Sequence, residues 1–292
     1  MKLFKGVATA VITPFTNSNR IDFKSLKKII EFQIENNISA LVFLGTTGEA
    51  STLTEQEKLQ IAEFAIKEVN NRVPVILGAG GNNTAQAISL SKKFEKLNPD
   101  ALLHVTPYYN KCTQHGLFLH YQEIASSIKT PIILYNVPGR TNVNLLPETT
   151  IKLSKIPNII GIKEANSDIN QTNQLLSNKP ENFAVYSGDD NNIFNILALN
   201  GDGVISVVSN VLPKQTSLIC DEFFKTNYST SRQLQFDLLP IIQELFKEVN
   251  PIPIKYAMKI LGFGNGKTRL PLTKLSNKNV NNLKNILKNY YF

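Results

Sequence analysis

The sequence of 292 residues contains no tryptophan, two methionines, two cysteines and three histidines. Cys112 and Cys220 stand far apart with no paired spacing, which leaves no disulfide framework and no zinc knuckle to expect. His104, His115 and His120 lack the helical two-histidine pair and any cysteine or carboxylate cluster at ligand spacing, so no metal site is expected. No apolar run approaches the ~20 residues that span a bilayer, which speaks against a membrane protein. The opening Met1-Lys2-Leu3-Phe4-Lys5-Gly6 has neither the apolar stretch nor the small-residue cleavage site of a signal peptide, so a cytoplasmic location is expected. Acidic residues are outnumbered, giving a net charge of +8, yet the basic residues are scattered rather than interleaved with aromatics, which argues against a nucleic-acid partner. One stretch is basic throughout: after Glu248 come Lys255, Lys259, Lys267, Arg269, Lys274, Lys278, Lys284 and Lys288 with no further acidic residue. Lysine and asparagine are abundant along the whole chain, so this tail is read as composition, with a general attraction of small anions as a minor addition.

What is present is an alternation. Short β-favouring apolar runs alternate with longer segments of helical periodicity, the pattern of parallel strands joined by crossover helices. Strands are expected at Gly6–Pro14, Leu41–Gly45, Val73–Ala79, Ala101–Thr106, Pro131–Val137, Ile159–Glu164, Phe183–Ser187 and Gly203–Val208. Asp22 is placed to cap a helix reaching about Asn36, with Phe23, Leu26, Ile29, Ile30 and Ile34 on one face. Thr54 and Glu57 have the spacing of a capping box. Eight such units close most simply into an α/β (βα)8 TIM barrel, because closure covers every strand and removes the sheet edges; a doubly wound sheet is the structural alternative. Past Ser229 the strands stop, and Ser231–Val249, Pro253–Leu261 and Asn277–Asn289 read as helices. The expected division is residues 1–228 as the barrel carrying the site and 229–292 as a C-terminal helical appendage packed on it.

In such a barrel the reacting groups gather where strands end. Lys163 closes Ile159-Ile160-Gly161-Ile162-Lys163-Glu164, whose period-2 alternation puts Gly161 and Lys163 on one side. If that side is the interior, loss of water favours a neutral amine, the form that attacks a keto acid to give an imine. A lysine that snorkels to solvent or pairs with Glu164 is the alternative. Tyr135 shares the parity of Ile133, so its phenol faces the same interior and can carry protons; a core tyrosine bonded to a backbone carbonyl is the other reading. Thr46 and Thr47, between Gly45 and Gly48, offer hydroxyls and backbone N–H groups to a carboxylate, or simply form a turn before a helix. Arg140 sits just past Pro138-Gly139, where a guanidinium can hold a carboxylate through two hydrogen bonds or lie solvated at the surface. Gly78-Ala79-Gly80-Gly81-Asn82-Asn83-Thr84 lacks the spacing of either phosphate-binding loop and is read as a tight strand-to-helix turn. His104, within Ala101-Leu102-Leu103-His104-Val105, is expected to be a hydrogen-bonded core histidine.

Taken together, Gly45-Thr46-Thr47-Gly48-Glu49, Thr106-Pro107-Tyr108-Tyr109-Asn110, Leu134-Tyr135-Asn136-Val137-Pro138-Gly139-Arg140-Thr141, Gly161-Ile162-Lys163-Glu164-Ala165, Ser187-Gly188-Asp189-Asp190, Gly203-Val204-Ile205-Ser206-Val207 and Asn250-Pro251-Ile252-Pro253 resemble the pyruvate-dependent aldolase superfamily of N-acetylneuraminate lyase and dihydrodipicolinate synthase. The likeness covers nearly the whole chain and is greatest to the dihydrodipicolinate synthases. It implies that Lys163 forms an imine with pyruvate, that Tyr135 transfers protons, and that Thr46 links Tyr135 to Tyr109 of a neighbouring subunit in a relay. It further implies that Thr46 and Thr47 hold the pyruvate carboxylate, that Gly188 and Ile205 line the site, and that Arg140 binds the carboxylate of L-aspartate 4-semialdehyde. The implied product is hydroxytetrahydrodipicolinate, a precursor of diaminopimelate and lysine. No cofactor is implied, since the imine is itself the electron sink. Homotetramers built from two tight dimers are the usual assembly of the resembled family.

Arg140 separates this resemblance from the neuraminate and sugar-acid lyases, which are the nearest alternative; a non-catalytic barrel that binds an acidic partner is a more distant one. The resemblance also has a departure. Lysine-inhibited members use a dimer-interface pocket with His and Glu side chains, whereas the matching positions here are Ala50, Ser51, Glu55, Lys58, Asn82, Gln86 and Tyr108. With Gln86 in place of a carboxylate and Lys58 nearby, weak or absent feedback inhibition by lysine is expected.

Overall fold

The computed structural model describes residues 2–291. Its eight parallel strands are β1 (Gly6–Ala10), β2 (Ala40–Phe43), β3 (Val75–Gly78), β4 (Ala101–Val105), β5 (Ile132–Asn136), β6 (Ile159–Glu164), β7 (Ala184–Ser187) and β8 (Gly203–Ser206). They pair in sequence order, and β8 closes on β1, so the sheet is a closed barrel and the doubly wound alternative is excluded. Most strands are a residue or more shorter than the apolar runs suggest. Those runs continue into buried loops that keep the apolar character without the ladder, as at Val11 and Ile12.

The crossover helices are α1 (Phe23–Glu35), α2 (Glu55–Val69), α3 (Thr84–Glu95), α4 (Gln114–Ser127), the short α5 (Pro138–Thr141) with α6 (Pro147–Leu153), α7 (Ile169–Asn178), α8 (Ile193–Ala198) and α9 (Pro213–Phe224). Local chemistry sets their starts. The Asp22 carboxylate accepts from Ser25 N at 3.0 Å, and Thr54 and Glu57 form the reciprocal capping box. Asn83 caps α3, so the Gly78–Asn83 stretch is the tight turn its composition suggests.

Alternation divides the barrel wall into two layers. Inward go Ala8, Ala10, Ala40, Val42, Ile76, Ala101, Leu103, Ile133, Tyr135, Ala184, Tyr186 and Ile205. Outward go Leu41, Phe43, Leu77, Leu102, Leu134, Ile162, Val185 and Val204, which the helices cover. Small residues fill much of the interior because the strands lean close: a Cβ on Gly161 would lie 2.7 Å from the Ala184 carbonyl oxygen. The floor is closed by Phe4, whose ring stacks on Tyr186 at 4.1 Å, while the Tyr186 hydroxyl donates to the Phe4 carbonyl at 2.9 Å.

Beyond α9, α10 (Tyr228–Leu245), α11 (Ile252–Ile260) and α12 (Asn277–Tyr291) follow. Helix α10 packs along α9 and α12, and its Gln235 is stitched to the barrel: Phe194 N donates to its oxygen at 3.2 Å and its amide donates to the Asp190 carbonyl at 3.0 Å. Among the described residues no helix is long and apolar enough to cross a membrane.

Candidate active site

Register places the first two candidates side by side. Tyr135 on β5 lies opposite Lys163 on β6, and the Lys163 Nζ sits 4.4 Å from the centroid of the Tyr135 ring. Lys163 is 6% exposed and inward-facing, which settles its orientation. Glu164, one residue on, faces the opposite way and makes no ion pair with it. Among the described residues Lys163 has no carboxylate or hydrogen-bond partner, so an aromatic face is what the chain itself provides for the amine. Among the described residues the Tyr135 hydroxyl is likewise unpartnered, unlike that of Tyr186, which is spent on the Phe4 carbonyl.

The turn after β2 forms the adjoining wall. It is bracketed by two residues in the left-handed region, Leu44 at φ 60° and Glu49 at φ 54°, and closed by Gly48 N and Glu49 N donating to the Gly45 and Thr46 carbonyls at 3.1 and 3.0 Å. Gly48 suits the close packing there, since a Cβ would come within 3.2 Å of the Leu44 nitrogen and the Val11 oxygen. Thr47 is buried, and its hydroxyl oxygen accepts from the Asn250 amide at 3.0 Å, which leaves the hydroxyl proton free to point elsewhere. The Asn250 carbonyl in turn accepts from the Arg140 guanidinium at 3.3 Å. Asn250 therefore ties Thr47 to Arg140. It belongs to a motif quoted for its resemblance alone, and its link to Thr47, more than 200 residues away, leaves no trace in spacing.

A cavity of about 220 Å³ opens here, lined by Thr46, Tyr135, Arg140, Thr141, Tyr108 and Lys58 among others. Thr46, Tyr135 and Arg140 thus share one chamber. Lys163, Thr47, Gly188 and Ile205 stand outside its lining, and Lys163 adjoins it only through the ring of Tyr135, a lining residue. Gly188 follows β7, with its N–H donating to the Glu164 carbonyl at 2.6 Å, and a Cβ there would strike the Cβ of Ala165. Ile205 lies in the inner layer of β8, whose following turn is fixed by the buried Asp190 carboxylate accepting from Val207 N and Val208 N at 2.9 and 3.0 Å. Tyr109 is outside this assembly of residues: it is 92% exposed, at φ 72°. A relay from Tyr135 through Thr46 to Tyr109 is therefore not closed within one chain.

Behind the wall, in the shell between strands and helices, Glu164 takes hydrogen bonds from the Asn136 amide at 3.0 and 3.2 Å and from Asn166 N at 2.8 Å. Burial pushes its carboxyl up to about 7 despite these donors. His104 occupies the same shell behind β4, and here the expectation needs correcting. It is a core residue, but among the described residues its Nδ1 has no partner and its Nε2 only a 3.4 Å contact with Ser91, the Tyr121 hydroxyl being spent on the His104 carbonyl. The nearby His120 bonds Thr84 at 2.8 Å through Nδ1, while its Nε2 is also unpartnered. Burial holds His104 down at about 3 and His120 at about 4. Among the described residues no three His, Cys, Asp or Glu side chains converge as a metal centre would require.

A closed (βα)8 barrel with an unpaired lysine and a tyrosine at one mouth, beside a threonine turn and an arginine, defines the class as a barrel enzyme. The chain belongs to the dihydrodipicolinate synthetase family, whose model matches residues 3–290. It is 48% identical over 288 residues to the 4-hydroxy-tetrahydrodipicolinate synthase of Acetivibrio thermocellus, covering 99% of this chain and 98% of the relative. The dihydrodipicolinate synthase structure from Thermotoga maritima superposes with a TM-score of 0.97 at 45% identity, with 98% of each chain covered. The chloride-inhibited dihydrodipicolinate synthase from Acinetobacter baumannii, complexed with pyruvate, superposes with a TM-score of 0.95 at 42% identity, again over 98% of each chain.

Proposed function

We propose that this chain is a lyase that makes 4-hydroxy-tetrahydrodipicolinate from pyruvate and L-aspartate 4-semialdehyde, in diaminopimelate and lysine biosynthesis. The observation that carries the reading is the Lys163 amine, buried inside the barrel against the Tyr135 ring with no carboxylate to neutralise it. Relatives that share nearly the full length and carry this activity as their name support it.

In this reading the Lys163 amine adds to the keto carbon of pyruvate and water leaves, giving an imine. Tyr135 takes a proton from the methyl carbon to form the enamine and returns protons later. Thr46 and Thr47 hold the pyruvate carboxylate with a backbone N–H and the hydroxyl proton that Asn250 leaves free. The enamine carbon attacks the aldehyde carbon of the semialdehyde, whose carboxylate Arg140 holds. The semialdehyde's amino group then attacks the imine carbon and expels Lys163, closing the ring. Gly188 and Ile205 shape the wall. No metal or organic cofactor enters these steps.

Tyr109 completes the proton relay of a neighbouring subunit, so the working unit is at least a dimer, paired further into a tetramer. An exposed tyrosine in a left-handed backbone conformation is what supports this. We place the enzyme in the cytoplasm and assign residues 1–228 to the barrel and 229–292 to the appendage. Ala50, Ser51, Lys58 and Tyr108, four of the positions that match the interface pocket of lysine-inhibited family members, line the same cavity as Thr46 and Arg140, and the Lys58 ammonium there opposes a ligand ammonium, so steady-state rates are expected to hold at micromolar lysine. Incubation with pyruvate and borohydride followed by peptide mapping tests the core of the reading, and a modified residue other than Lys163 overturns it. A coupled assay with aspartate semialdehyde beside sugar-acid substrates tests the second substrate.

A further inference from the structure

The turn that carries Thr46 and Thr47 ends at Glu49, and Glu49 is held from outside the barrel. Its side chain is 2% exposed and forms an ion pair through Oε1 with the Nζ of Lys255, itself 1% exposed on α11. The other carboxylate oxygen accepts from Arg269 N at 3.0 Å. Phe15, just past β1, supplies the apolar partner: Lys255 Nζ lies 4.1 Å and the Arg269 guanidinium carbon 4.4 Å from its ring centroid. Arg269 is fixed in turn by Glu57 at 2.8 and 2.5 Å and by the Thr52 carbonyl at 3.0 Å. One cation, Lys255, and one backbone N–H, that of Arg269, thus converge from the C-terminal region on one carboxylate at the end of a strained turn.

A buried ion pair is a poor source of stability, because desolvating two charges offsets most of their attraction, and apolar replacements of similar size are often neutral or better. A pair in that position, bound to a residue in the left-handed region whose N–H closes the turn on the Thr46 carbonyl, has a geometric consequence instead. It sets where the turn ends, and with it the direction of the Thr46 and Thr47 donors. Burial brings the Lys255 ammonium down to about 8, and the Glu49 carboxylate beside it opposes that shift.

We propose that Glu49 and Lys255 are positioning residues for the reaction, holding the Thr46–Thr47 turn in the geometry that binds the keto-acid carboxylate, with Arg269 as the outer brace. This rests on the reading of the site as a pyruvate-binding lyase. Neither residue touches substrate in this account; both act through the turn.

The test compares Lys255→Met with the double variant Lys255→Met/Glu49→Leu in the full-length enzyme. The double variant restores a matched apolar pair and is expected to melt near the wild type. Its half-saturation for pyruvate, read from borohydride trapping at Lys163 without any aldehyde, is expected to rise by roughly tenfold or more, a split that a purely structural pair would not produce. Pyruvate half-saturation within twofold of wild type in a folded Lys255→Met or double variant overturns the proposal. Amide exchange at Gly48, Glu49 and Ala50 reads the turn directly: exchange at least several-fold faster than wild type is expected. Unchanged exchange overturns the proposal even if the wild type traps no pyruvate, an outcome that would separately sink the pyruvate reading. Arg269→Gln, at a partly exposed residue, gives the same two readouts with a smaller expected shift should the Lys255 variants fail to fold.

Discussion

The inside of the barrel and the shell around it treat ionisable groups differently, and β6 shows both in consecutive residues. Inward, Lys163 meets an aromatic ring and has no hydrogen-bond partner among the described residues. Outward, Glu164 has donors from Asn136 and Asn166, and the same shell holds Asp190 on two backbone N–H groups. Polar groups that serve the fold are bonded by the chain, at the cost of burying them; polar groups that serve chemistry are left for a ligand to bond. His104 and His120 depart from this pattern, being shell residues with open nitrogens.

Substitutions on the two faces are therefore expected to separate activity from stability. Lys163→Met should lower kcat by about a thousandfold or more, roughly 4 kcal/mol of barrier, while leaving the melting temperature unchanged or raised. A marked loss of stability in a thermal melt would break the contrast. Glu164 gives the opposite signature. Its carboxyl titrates near 7 in the folded chain and near 4.5 when unfolded, so the folded state binds more protons between those values and stability falls as pH rises from about 4.5 to 7. Glu164→Gln should flatten that slope, recovering up to about 3 kcal/mol at pH 8 in denaturant titrations.

Arg140→Ala lies between the two, at the mouth. Its expected effect is a rise of about 10- to 100-fold in KM for the aldehyde, roughly 1.4–2.7 kcal/mol, with pyruvate trapping at Lys163 preserved. The smallest effect belongs to the histidines. Both are held neutral by burial, so the unfolded chain binds more protons below pH 6.5 and stability declines as pH falls toward 4. His120→Gln should soften that decline by about 1 kcal/mol just under pH 6 in the same titrations, and an unchanged acid limb would place the acid sensitivity elsewhere.

Much of this arrangement is legible in the residues. Period-2 alternation puts Lys163 and Tyr135 on the inner face, and the capping residues Asp22 and Thr54 mark helix starts where the structure has them. Such patterns survive because they are local, each fixed by neighbours a few residues away. The Glu49–Lys255 pair and the Asn250–Thr47 bond join positions more than 200 residues apart and follow from how the appendage packs, which no window of sequence encodes. The open nitrogens of His104 and His120 were hidden for a related reason: a run such as Leu-Leu-His-Val announces burial, but the partners depend on which helix residues face it.

The stacked Phe4 and Tyr186 rings turn the barrel into a cup rather than a tube. Traffic through a vessel with a single opening is last in, first out. On the proposed reading, a keto acid fixed to buried Lys163 sits below an aldehyde held by exposed Arg140, so the aldehyde is expected to arrive second, and the finished ring to depart by the same door before another round begins.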